Sequence, residues 1–96
     1  MGKKPAYRLV WTTTFERTAV KFLKKHHELV ETFEKTLMRL EDDPHDPKLR
    51  LHALQGQHAG KHAVRLTYEY RIVLVLKITA KEIFLLDVGS HDDVYQ

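Results

Sequence analysis

The sequence predicts an α+β fold in the order β-α-α-β-β-β, with two N-terminal helices packed on a small, largely antiparallel sheet. Three observations lead there. Two amphipathic helical segments follow one another in the first half, and neither can bury its apolar stripe alone. Strand-like segments close the chain, joined by short turns that favour antiparallel pairing. The 96 residues are 43% hydrophobic and 30% charged, an ordinary globular balance for one domain spanning 1–96.

Tyr7-Arg8-Leu9-Val10-Trp11 alternates and is rich in β-formers, which predicts a short first strand. Thr12-Thr13-Thr14 can supply an N-cap hydroxyl, and Thr13 with Glu16 fits a capping box. Phe15, Ala19, Phe22 and Leu23 then recur at helical spacing, with Arg17, Lys21, Lys24 and Lys25 on other faces, giving a helix over 15–25. His26-His27 interrupts it. Leu29, Val30, Phe33, Leu37 and Leu40 carry a second helix ending near Asp42, with Glu31 and Lys35 as a favourable i,i+4 pair. The two form an αα-hairpin or one kinked helix. Asp43-Pro44-His45-Asp46-Pro47 stops the helix, since each proline disfavours helix in the residue before it. Residues 48–60 read as loop, with Gly56 and Gly60 near the end. Residues 61–67 alternate around Val64 and Leu66. Residues 70–78 are β-branched and nearly all apolar, as in a central strand buried on both faces. Thr79-Ala80-Lys81 turns the chain, 82–88 form the last strand, and 89–96 are a tail.

Several function classes fall away. With no cysteine there is no disulfide, zinc ribbon or thiol nucleophile. The longest apolar run, 72–76, is far short of the about 20 residues a membrane span needs. The basic start Met1-Gly2-Lys3-Lys4-Pro5 has no apolar stretch behind it, so no signal peptide and a cytoplasmic location are expected. No Gly-rich phosphate loop, G-x-S-x-G or H-E-x-x-H occurs. His58 and His62 are four apart, but Gly60 between them argues against one helical face. His26 and His27 are adjacent and point apart. No metal site is expected. Lys and Arg number 16 against 13 Asp and Glu, a net charge of +3, which suits a polyanionic partner or simple solubility.

Three places can carry chemistry. Arg65, Thr67, Glu69 and Arg71 share one parity and would line one side of their strands if the run were regular. Such a set grips phosphate through the planar fork of arginine, or it is a solvated face of Arg–Glu pairs. His91, just past the last strand, can act as a general acid or base near neutral pH, with Tyr95 four residues on, or both belong to a frayed tail. His52, flanked by Leu51 and Leu54, is an ordered site histidine or a surface loop residue.

The element order, with Leu54-Gln55-Gly56, the run Arg65-Leu66-Thr67-Tyr68-Glu69-Tyr70-Arg71-Ile72-Val73 and the terminal Gly89-Ser90-His91-Asp92-Asp93-Val94-Tyr95, resembles the RelE superfamily of bacterial type II toxins. Within it the likeness is to the YafQ/YoeB-like mRNA interferases. It spans nearly the whole chain and is most specific in the second half. The resemblance implies a metal-independent endoribonuclease, without cofactor, that cuts mRNA in the ribosomal A site. The RNA 2′-OH attacks the adjacent phosphorus, leaving a 2′,3′-cyclic phosphate and a 5′-OH end.

The family's roles carry over position by position. Arg71 matches the arginine used on the scissile phosphate, and Arg65 a second cationic position that is histidine in the YafQ branch. Glu69 matches a carboxylate of both branches. His52 falls where YafQ-like toxins have histidine and YoeB-like toxins glutamate. His91 matches the C-terminal histidine, and Tyr95 an aromatic able to stack on a base. The roles of His52, Glu69 and His91 as base or acid are interchangeable. Tyr70 stands where the YafQ branch has tryptophan. Lys61 and His62 replace aromatic or arginine residues, leaving Lys61 as a further RNA contact beside Arg65 and Tyr95. The resemblance also implies a cognate antitoxin in a hetero-oligomeric complex, reaching the basic positions Arg17, Lys21, Lys24 and Lys25. Two other readings stay open: a ParE-like gyrase-inhibiting toxin, and a catalytically inactive binding module on the same fold.

Overall fold

The computed structural model describes residues 5–95; residues 1–4, which carry the basic start, and Gln96 lie outside them. Strand β1 (Arg8–Trp11) leads into helix α1 (Thr13–Lys25). The helix is capped by Thr12, one residue before the expected Thr13. Its hydroxyl oxygen accepts the Phe15 N–H at 3.2 Å. Thr12 is fixed there because its own N–H and hydroxyl both donate to the Leu85 carbonyl of the last strand, at 3.3 and 2.6 Å. His26 ends α1, a 3₁₀ turn over His27–Leu29 redirects the chain, and α2 (Val30–Asp42) follows, so the expected pair of helices is present.

Four further strands follow: β2 (His52–Ala53), β3 (His62–Arg65), β4 (Tyr70–Lys77) and β5 (Glu82–Ser90). A short helix, α3 (His91–Val94), closes the described chain. The sheet order is β1-β5-β4-β3-β2, parallel between β1 and β5 and antiparallel elsewhere. Two elements depart from the expected order. β2 lies in the stretch read as loop, since two residues are too few to show a period. α3 replaces part of the expected tail.

Both helices cover one face of the sheet. Phe15, Ala19 and Phe22 of α1, with Phe33 and Leu40 of α2, join Val64, Ile72, Leu74, Ile83, Leu85 and Val88 in one buried cluster. Burying each large side chain stabilises by about 1.5–3 kcal/mol. Trp11 seals the end, its ring edge-on to Phe15 at 4.9 Å and to Phe33 at 6.2 Å.

A bulge in β5 sets which side chains face the other way. Val73 pairs with Asp87, but Leu74 pairs with Leu85, so Leu86 is an extra residue on β5. Such an insertion flips the side-chain alternation beyond it. Ile83 and Leu85 before the bulge, and Val88 after it, therefore all reach the helix-covered core. Asp87 and Gly89 are left on the opposite face, with Arg71 and Val73. There Ala63, Val73 and Val94 are buried outside the main cluster. Among the described residues no helix is long and apolar enough to cross a membrane.

Candidate active site

Arg65 and Arg71 are direct partners across the β3–β4 ladder, and Arg71 is in turn opposite Gly89 of β5. Partners across a ladder share a face, so two guanidinium groups stand together on the side away from α1 and α2. Regular alternation along one strand does not bring them there. Residues 66–69 form the turn, and register across it sets the face. Thr67 and Glu69 are consequently turn residues rather than members of a row. The Thr67 hydroxyl accepts the N–H groups of Glu69 and Tyr70, both at 3.2 Å. Glu69 is exposed at the tip, and its carboxylate has no hydrogen-bond or ion-pair partner among the described residues.

Among the described residues, neither arginine has an ion-paired carboxylate. Arg65 stacks over the Tyr68 ring at 5.4 Å, and Arg71 Nη1 donates to the Tyr68 carbonyl at 3.4 Å. Arg8, by contrast, is ion-paired with Glu82. No such carboxylate pairs with Arg65 or Arg71 among the described residues. Like charges directly opposite are destabilising, and Gly89 beside Arg71 adds no side chain to screen them. An anion bound between the two forks would relieve the repulsion.

The C-terminal segment folds back over this face instead of fraying. Ser90 accepts the Asp93 N–H at 3.2 Å, and the Asp93 carboxylate accepts the Ser90 N–H at 3.3 Å, a reciprocal capping box. Val94 is thereby buried and Tyr95 half-buried. His91, exposed, lies edge-on to Tyr95 with ring centroids 4.4 Å apart. Burial pushes the Tyr95 hydroxyl above its ordinary pKa of 10.0, while the positive charge of Arg71 pulls the other way. Tyr95 is therefore a neutral phenol at physiological pH. Arg65, Arg71, Tyr95 and His91 thus belong to one constellation.

Neither His52 nor Glu69 is tied to it by a direct contact. No hydrogen bond, ion pair or ring contact joins either to that group among the described residues. His52, opposite Ala63 on the arginine side of the sheet, is exposed at the short outer strand. Its Nδ1 lies 2.9 Å from the Arg50 carbonyl, a geometry that holds a proton on Nδ1 and leaves Nε2 as an acceptor. Lys61 is half-buried where the chain enters β3.

One neighbour escaped the sequence reading except as an unsupported metal ligand. His58 sits on a 3₁₀ turn, Gly56–His58, and its ring lies 6.0 Å from that of Tyr95. Gly56 and Gly60 bracket the turn with φ of 66° and 93°, the left-handed region that glycine enters freely. That bracket was the available signal, since it marks a tight turn able to aim the side chain between. Among the described residues, no group of three or more His, Cys, Asp or Glu side chains could hold a metal ion.

No protein-family model matches the chain, and no curated protein does. Solved structures match closely in shape. YafQ from E. coli strain BL21(DE3) superposes with a TM-score of 0.78 at 15% identity, covering 94% of this chain and 99% of that one. A YoeB/ParE toxin from Agrobacterium tumefaciens gives 0.71 at 21% identity, covering 88% and 98%. The E. coli DinJ-YafQ toxin-antitoxin complex gives 0.76 at 15% identity, covering 95% and 99%. The chain has the fold of the YafQ and YoeB/ParE toxins. On this YafQ-type fold the helices occupy one sheet face, and the arginine pair with its histidine and tyrosine occupies the other.

Proposed function

We propose that this protein is the toxin of a type II toxin–antitoxin system and cleaves mRNA on the ribosome as a metal-independent endoribonuclease. One observation carries the reading: two arginines on partnered positions of β3 and β4, with no ion-paired carboxylate among the described residues, share a sheet face with Tyr95 and His91. Single-stranded RNA supplies the missing anion, and its bases suit an aromatic neighbour.

In the reaction a base takes the proton of the RNA 2′-OH, and the oxygen attacks the adjacent phosphorus. The P–O5′ bond breaks, the 5′ oxygen receives a proton from an acid, and a 2′,3′-cyclic phosphate and a 5′-OH remain. Negative charge builds on the non-bridging oxygens, where the forks of Arg65 and Arg71 stabilise it. His91, in ring contact with Tyr95, serves as acid or base. His52, through Nε2, and Glu69 are the other proton carriers. Tyr95 stacks on a base as a neutral ring, and Lys61 contacts the RNA.

A cognate antitoxin is the expected partner, in a hetero-oligomeric complex. DinJ-YafQ supplies the precedent on this fold. The surface offered to it is α1, where exposed Arg17, Lys21, Lys24 and Lys25 are in place for an acidic segment.

Induced expression of the wild type beside the Arg71→Ala/His91→Ala double variant, with primer extension on a reporter mRNA, tests the reading. Growth arrest with codon-phased cuts in the wild type alone is expected. Arrest by both proteins without cuts would point to another target such as gyrase. No arrest by either would leave an inactive binding module.

A further inference from the structure

His58 stands beside the proposed scissile site with no part in its proton transfers. Its Nδ1 and Nε2 are both shut off from solvent without a hydrogen-bond partner, and so is the Tyr95 hydroxyl next to it. Such groups are normally paired when buried, because leaving them unpaired is expensive. His58 also lines a cavity of about 380 Å³ on the arginine side of the sheet, with Lys61, Asp87, Asp93, Val73 and Val94 among its walls. Val73 is two residues along β4 from Arg71, a separation of about 7 Å that one nucleotide spans.

The walls indicate the guest. Two carboxylates oppose a single lysine, which disfavours a phosphate. Val73 and Val94 supply apolar surface for a flat ring. Asp87 Oδ1 accepts the Val88 N–H at 2.8 Å and Asp93 Oδ2 accepts the Ser90 N–H at 3.3 Å, so the other oxygen of each is left to accept from a guest. A carboxylate accepts readily from an exocyclic amino group, and the His58 ring, its nitrogens closed to solvent until a guest shifts it, forms the wall beside it. We propose that this cavity is a base-recognition subsite for a nucleotide flanking the cut, favouring the amino-bearing bases adenine, cytosine and guanine over uracil. It rests on the ribonuclease reading above and adds the specificity of that site.

The test is sequencing of mRNA 5′ ends from a translating extract given wild type, His58→Ala or Asp87→Asn, each checked for folding by thermal melting. Wild type is expected to cut next to amino-bearing bases about 10-fold more often than next to uracil, the scale of one good base-edge contact. Both variants should reduce that preference to about 2-fold or less, at whatever rate they cut. Asp87→Asn keeps an oxygen for the Val88 N–H, so it probes the base contact if His58→Ala melts early. Cuts by wild type without base preference, or with a preference that both variants retain, would overturn the subsite and leave the ribonuclease reading standing. No cuts by wild type would overturn both.

Discussion

At the scale of single residues the argument turns on charge held without compensation. Arg65 and Arg71 face each other with no carboxylate between them among the described residues, while Arg8 on the far edge is paired. A stabilising surface would be expected to resemble Arg8. Arg71→Ala should therefore leave the protein folded and slow cleavage by about 10²–10³-fold, ~2.7–4 kcal/mol, the loss of one preorganised donor to transition-state charge. His91→Ala should slow it by about 10²–10⁴-fold if it is the acid or base. Single-turnover cleavage on programmed ribosomes measures both, and normal rates in both variants would end the assignment. Tyr95 gives a prediction independent of RNA. Burial raises its hydroxyl pKa, and burial followed by the charges of Glu69, Glu28 and Asp93 raises that of Tyr70. Above about pH 10 the unfolded chain loses these protons before the folded one does. The unfolded state then binds fewer protons, so stability present below pH 10 falls as pH rises. Urea midpoints between pH 9 and 11 should decline less steeply in Tyr70→Phe/Tyr95→Phe than in wild type.

At the scale of elements, the bulge at Leu86 and the capped turn of α3 assemble the site. The bulge keeps Val88 in the core and puts Gly89 beside Arg71. A Cβ at Gly89 would stand 3.0 Å from Asp93 Cβ and 3.2 Å from Asp93 Oδ2, so a methyl group there requires α3 to give way by a few tenths of an ångström. Gly89→Ala should lift α3 and with it His91 and Tyr95. Stability should drop by about 1–3 kcal/mol, as for other overpacked sites, with cleavage falling more than that loss of folded protein explains. Full activity at wild-type stability would show that α3 accommodates the methyl group. These devices also mark the limit of what the sequence reveals. Long apolar periods over 15–42 and 70–88 disclose the two helices and the central strands, because burial writes a repeat into many residues. A bulge adds one residue and β2 has two, and neither writes a period. The face shared by Arg65 and Arg71 is not fixed by parity, because the turn expected around Tyr68-Glu69-Tyr70 lies between them at 66–69 and only the register across it sets the face. His91 and Tyr95 showed no order of their own, since a four-residue helix gets its stability from the Ser90–Asp93 cap and the burial of Val94.

At the scale of the whole molecule, the two proposed functions use adjoining surfaces that meet at Asp87 and Asp93. The sheet face away from α1 and α2 holds the proposed chemistry, and α1 carries exposed Lys21, Lys24 and Lys25 along a groove of about 610 Å³ that also includes Phe22, His26 and Tyr70 and, from β5 and α3, Asp87, Gly89 and Asp93. Phe22, His26 and Tyr70 are in mutual ring contact, at 4.6 to 5.0 Å, so the groove has aromatic walls, with lysines along its α1 side and the Asp87 and Asp93 carboxylates on the β5–α3 side. An acidic segment lying along the α1 lysines, away from the two carboxylates, with an apolar side chain on the rings fits this surface. An antitoxin seated there would be recognised through Lys21, Lys24 and Lys25, which the proposed cleavage chemistry does not use. Lys21→Glu/Lys24→Glu should then weaken antitoxin binding by slowing association, an effect that fades as salt is raised because exposed charges are screened over about 10 Å at 0.1 M. The same variant should retain its cleavage activity, so that expression with the antitoxin no longer protects the cell fully. Association kinetics by surface plasmon resonance at two salt concentrations read this directly. Unchanged association at low salt would place the antitoxin elsewhere, and the arginine face would then be the next surface to test.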